Sequence, residues 1–186
     1  MYLKKNIKDN IKSVYPNVID LINVWRKFHH NSYIKQLTPV PPRPNSFLGQ
    51  NSLVFLQANL YRSHTLVSGF FDGLNKSNPL TTTLMIRAFF ETTGALAYFL
   101  KKYNQLKSGM ISEEQVESEL RRLYLGIRDK GELTDAPDSI GVMTLIDAVD
   151  HYLKNRHGVG GEKFRKNYEE LSEICHPNSF GYLILT

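Results

Sequence analysis

The chain has 186 residues, 41% of them hydrophobic and 22% charged, which is the composition of one ordinary globular domain with a real core. Its single cysteine, Cys175, excludes an intrachain disulfide framework and fits a reducing compartment, so the cytoplasm is the expected location. The net charge of +5 attracts polyanions mildly, with lysines gathered at Lys4, Lys5, Lys8 and Lys12 and a second basic cluster at Arg121, Arg122, Arg128 and Lys130.

The N-terminus carries positive charge but no apolar core behind it, so it does not read as a signal peptide. Apolar residues recur at three- and four-residue steps almost throughout, and sustained period-two alternation is missing from the sequence, which predicts an all-α fold. A first helix is expected from Val18 to Leu37, with Ile19, Ile22, Trp25 and Phe28 in step; the whole segment 1–37 is read as the first-helix region. Pro39 to Pro44 removes backbone donors and fixes φ, so 38–48 reads as a stiff connector. A second helix is expected from about Gly49 to Leu74. Asn78-Pro79 then supplies a capping side chain and a proline for the first turn of a third, central helix.

That third helix, Leu80 to Leu100, is largely apolar, and Arg87 and Glu91 are its only charges. It is long enough to cross a bilayer, yet both charges would sit near its middle, where they are expensive, so a buried helix and no membrane partner are expected. Ser112 with Gln115 forms a capping box for a fourth helix to about Ile127. A fifth is expected over Ser139 to Lys154, carrying Val142, Leu145, Ile146, Val149 and Leu153. A sixth, over Glu162 to Cys175, has Phe164, Tyr168, Leu171 and Cys175 in a seam. Six helices with short connections make a bundle, a single domain over 1–186 with its main body at 49–176. Residues 177–186 read as a turn and an apolar tail, either docked on the bundle or cut where a longer protein continues.

Two places carry candidate chemistry. On a helix Arg87, Glu91, Gly94 and Tyr98 fall within about 40° of one another, so the polar groups share a stripe in which Gly94 admits a close neighbour. Arg before Glu is the weaker order for an intrahelical pair, which points to a partner from elsewhere. His176 closes the last helix, where the carbonyl end of the dipole favours a protonated imidazole, and Pro177 and Asn178 turn the chain. The same geometry puts Arg165, Ser172 and His176 on one side of that helix.

The apolar helix with Arg-x-x-x-Glu at Arg87 and Glu91, followed far downstream by Tyr168-Glu169-Glu170-Leu171-Ser172-Glu173 and Cys175-His176-Pro177-Asn178, resembles an uncharacterised bacterial branch of the HEPN-like helical proteins. The resemblance covers roughly Pro79 to Gly181. It implies an α-helical bundle that often dimerises and occurs among toxin, antiphage-defence and RNA-processing proteins. Active members carry Arg followed within two turns by His on one helix and cut RNA without metal or cofactor through the ribose 2′-hydroxyl. Here ten residues separate Arg165 from His176, so the usual motif is lacking, and the guanidinium would have to come from Arg87 on another helix. On this reading Arg87 stabilises phosphorane charge, His176 transfers a proton, and Glu91 with Asn178 orients them. Arg121, Arg122 and Arg128 are candidates for the nucleic-acid backbone, and RNA and a second copy of the chain are the implied partners. The competing reading is a non-catalytic interaction and dimerisation module in which Arg87, Glu91 and His176 are structural.

Other constellations are weaker. Cys175 belongs to the apolar seam, about 100° from His176 on a helix. His29-His30 and the Asp147, His151 pair lack a second cluster at ligand spacing, so no metal site is expected. Gly158 to Gly161 follows a helix and lacks the Lys-Ser/Thr of a phosphate loop, so it reads as a turn.

Overall fold

The computed structural model describes residues 3–32, 47–129, 131 and 133–176, with the side chain of His29 left aside. Most of the proline-rich connector, the C-terminal turn with Asn178, and the apolar tail lie outside the described residues. Seven helices and no strand occur within them: α1 (Lys5–Val14), α2 (Val18–Ser32), α3 (Phe47–Asn75), α4 (Pro79–Lys107), α5 (Glu113–Leu125), α6 (Val142–His157) and α7 (Lys163–Cys175). The fold class is all-α. None of these helices is long and apolar enough to cross a membrane.

The helix starts expected from capping chemistry are present. Asn78 Oδ1 accepts from the Thr81 amide at 2.9 Å, and Pro79 opens α4. At α5 the Ser112 hydroxyl accepts from the Gln115 amide at 3.3 Å, while the Gln115 side chain accepts from the Ser112 amide at 2.8 Å.

Several boundaries differ from expectation. Helix α1 was not foreseen: it places Ile7, Ile11 and Val14 along one face and Lys5, Lys8 and Lys12 along the opposite one, a pattern that its low apolar content hides. Helix α4 continues past Leu100 because Leu106 still reaches the core, and it stops where Gly109 takes a φ of 72°. There Met110 N–H reaches back to Gln105 O and Gly109 N–H to Leu106 O, both at 2.9 Å, in a Schellman closure. Helix α5 stops at Leu125 and α6 begins at Val142, later than Ser139, because Ile127 and Asp138 form an isolated bridge that holds both flanks extended.

The chain divides into two compact units. The first takes the described part of 1–36, 60–89 and 169–186; the second takes the described part of 37–59 and 90–168. In the first unit α3 and α4 approach closely beside their connecting turn: a methyl group built on Gly73 would lie 2.6 Å from Thr82 Oγ1 and 3.0 Å from its amide nitrogen. Phe71 and Ile19 are buried there, and Trp25 meets Phe89 edge-on with centroids 6.5 Å apart. The second unit has a denser core. Leu48 and Phe55 of α3 and Phe99 of α4 close on Val116 and Leu120 of α5, the last two with no exposed surface.

Candidate functional site

Arg87 and Glu91 sit one turn apart on α4, both half-buried. Within the second unit, to which Glu91 belongs, Tyr168 on α7, buried to 3% exposure, donates its hydroxyl proton to Glu91 Oε1 over 2.9 Å. One turn earlier on α7, Phe164 stacks on Phe90, with centroids 4.1 Å apart and planes inclined by 16°. A ring stack and a charge-assisted hydrogen bond therefore join α4 to α7 side by side. The sequence pointed to a partner outside α4 but read Tyr168 purely as an apolar seam residue. The signal was its hydroxyl, which seeks an acceptor when the ring is buried.

The start of α7 is fixed by a residue of α6. The carboxylate of Asp150 accepts from the amides of Phe164 and Arg165, each at 3.0 Å, and so caps α7 from a neighbouring helix. Arg165 itself pairs with Asp147 at 2.9 Å. That engages Arg165 with α6, whereas the sequence reading grouped it with Ser172 and His176. His151, four residues beyond Asp147, accepts at Nε2 from the Asn155 amide group at 2.8 Å when the imidazole proton is on Nδ1. Among the described residues no three His, Cys, Asp or Glu side chains converge as a metal site.

The remainder of the α4 stripe serves packing. A Cβ on Gly94 would lie 2.9 Å from both the carbonyl carbon and oxygen of Leu145, so the absent side chain is what lets α6 press against α4. Tyr98 donates to Glu119 Oε2 of α5 at 3.0 Å. Burial first, and then the charge and hydrogen bond of Glu119, push the Tyr98 hydroxyl above its ordinary pKa, partly offset by Lys102. Glu119 is the hub of this network, 3.1 Å from Arg122 and 3.5 Å from Lys102. No spacing rule singled it out.

The three candidate arginines meet different surroundings. Arg122 is held by Glu119 and by the Asp138 carbonyl, which accepts from its Nε at 3.1 Å. Arg121 is exposed and lines a cleft of about 450 Å³ together with Glu114, Glu117 and Asp135. The Ser112 hydroxyl and its own backbone hold the Glu114 carboxyl below the usual range, so an anion approaching Arg121 meets formed negative charge. Arg128 is exposed beyond the end of α5.

His176 is exposed immediately after α7, its amide donating to Ser172 O at 3.2 Å and to Glu173 O at 3.3 Å. Cys175 is half-buried. The fourth member of the expected catalytic group, Asn178, lies outside the described residues. Compared with protein-family models, curated proteins and solved structures, the chain matches none.

Proposed function

We propose that this chain is a HEPN-like helical protein that engages RNA and cleaves it without metal, in a bacterial defence or toxin system. The observation that carries the reading is the bond from Tyr168 to Glu91. It couples the two segments on which the resemblance rests, and it does so through a carboxylate one turn from Arg87. In the reaction a ribose 2′-hydroxyl gives up its proton to solvent water and attacks the adjacent phosphorus, the bond to the leaving 5′-oxygen breaks, and a cyclic phosphate and a 5′-hydroxyl result. Arg87 stabilises the charge that builds on the phosphorane, and His176 delivers the proton to the leaving oxygen. Glu91, held by Tyr168, fixes the stretch of α4 that carries Arg87. Asn178 orients the imidazole.

The test is incubation of end-labelled RNA with the protein in chelator. Cyclic-phosphate ends are expected, falling by about 100-fold or more in Arg87→Ala and in His176→Ala while both variants keep the parent melting temperature. Persistent absence of cleavage by folded protein overturns the enzymatic reading.

The non-catalytic module is the second reading. What favours it is that Glu91 is already engaged by a nearly buried hydroxyl, as a structural joint requires. It predicts that Tyr168→Phe and Glu91→Gln lower stability and that RNA is left intact by every form of the protein.

A further inference from the structure

The second unit contains a cleft that none of the chemistry above uses. It runs between the C-terminal half of α4 and α6, and its volume of about 410 Å³ is that of a small-molecule site. Among the described residues Lys101 and Arg156 line it with their cations, and no Asp or Glu does. The small side chains of Ala97 and Ala148 leave room for a flat body between the helices. Tyr152, 39% exposed, offers a ring at the same wall.

Gln105 supplies the most specific signal. It lines the cleft, and its side-chain oxygen is buried with no hydrogen-bond partner among the described residues. A buried acceptor without a donor is costly, and a ligand that brings an N–H group removes the cost. The requirements therefore combine a negative charge for Lys101 and Arg156, a planar apolar face, and a hydrogen-bond donor on that planar part. Inorganic phosphate meets the first alone. A simple aromatic acid meets the first two.

We propose that this cleft binds a mononucleotide, with the phosphate at Lys101 and Arg156, the base against Tyr152, and an amino or imino N–H of the base donating to Gln105 Oε1 once the Gln105 amide turns out of its buried position into the cleft. Arginine suits the phosphate because its planar fork matches two phosphate oxygens, and base stacking on tyrosine tolerates any base, which leaves discrimination to Gln105. The site is independent of the RNA-cleavage reading, since Lys101, Gln105 and Arg156 have no role there.

The experiment is calorimetric titration of the full chain with each of the four 5′-ribonucleoside monophosphates and, separately, with inorganic phosphate. At least one nucleotide is expected to saturate the protein with a Kd below about 1 mM, and inorganic phosphate to bind about tenfold more weakly or less. Replacing Lys101→Gln and Arg156→Gln together should weaken the nucleotide about tenfold or more, with an unchanged melting temperature because both side chains are exposed. Gln105→Leu should narrow the differences between bases while leaving phosphate binding as it was. Lack of saturable nucleotide binding, equal affinity for inorganic phosphate, or nucleotide binding untouched by both sets of substitutions overturns the proposal.

Discussion

The two units solve the burial problem in opposite ways. In the second, polar groups stitch helices that are already close-packed: Glu91 to Tyr168, Asp150 to the first amides of α7, and Glu119 to Tyr98, Lys102 and Arg122. Val116, Leu120 and Ile146 are wholly buried there. In the first unit, α2, α3 and α4 line an apolar cleft of about 640 Å³, and the α2 side chains Leu21, Val24 and Phe28 remain more than half exposed on its wall. Apolar sequence is thus abundant in both, but more of it is converted into core in the second, Phe71 and Ile19 being buried in the first. Packing density, rather than hydrophobic content, should decide where substitutions hurt.

The sharpest way to break this contrast is truncation of equal chemistry in each unit. Leu120→Ala should cost about 2–5 kcal/mol, measured by denaturant unfolding, because it removes a fully buried side chain and leaves a cavity. Next in size is Tyr168→Phe, expected to cost about 1–3 kcal/mol because a half-buried carboxylate loses one of its donors. A loss near zero there would mean that water replaces the hydroxyl and that the α4–α7 joint rests on the Phe90–Phe164 stack. Asp150→Ala should cost about 1–2 kcal/mol by uncapping α7, seen also as faster amide exchange at Phe164 and Arg165.

A pH dependence follows from Tyr98. Its hydroxyl is held above the ordinary value of 10.0, so the folded state keeps a proton that the unfolded chain releases. The stability it contributes is complete below pH about 10 and falls as the pH rises from there through the raised value. Melting curves at increasing alkaline pH should show a steeper decline for the parent than for Tyr98→Phe; parallel curves would remove Tyr98 from the alkaline transition. The smallest effect is expected in the first unit, where Leu21→Ala, at a side chain 66% exposed, should change stability by less than about 0.5 kcal/mol. A loss as large as that of Leu120→Ala would show that the cleft wall carries core-like energy and would erase the contrast.

Local signals in the sequence specified what local physics controls. The helical period, the Asn78-Pro79 opening of α4 and the Ser112, Gln115 box of α5 each depend on residues within one turn of each other, and all three occur as the sequence implies. Gly94 was readable as a place of close approach, though not that Leu145 would fill it. The failures are equally physical. Helix α1 has an apolar face too narrow to stand out, and the ends of α5 and α6 answer to the Ile127–Asp138 bridge, which joins residues eleven positions apart.

The residues alone thus determined that the chain is helical, where several helices begin, and that Glu91 would need a partner beyond its own helix, because these follow from periodicity, capping and side-chain geometry. Tertiary structure alone decided that Tyr168 is a partner of Glu91, that Asp150 caps α7, that Glu119 gathers Tyr98, Lys102 and Arg122, and that the Gln105 side-chain oxygen is buried beside a cleft with no donor among the described residues. A carboxylate will bind any donor within reach. Which donor comes within reach is set by how the helices pack, and that is a property of the whole fold.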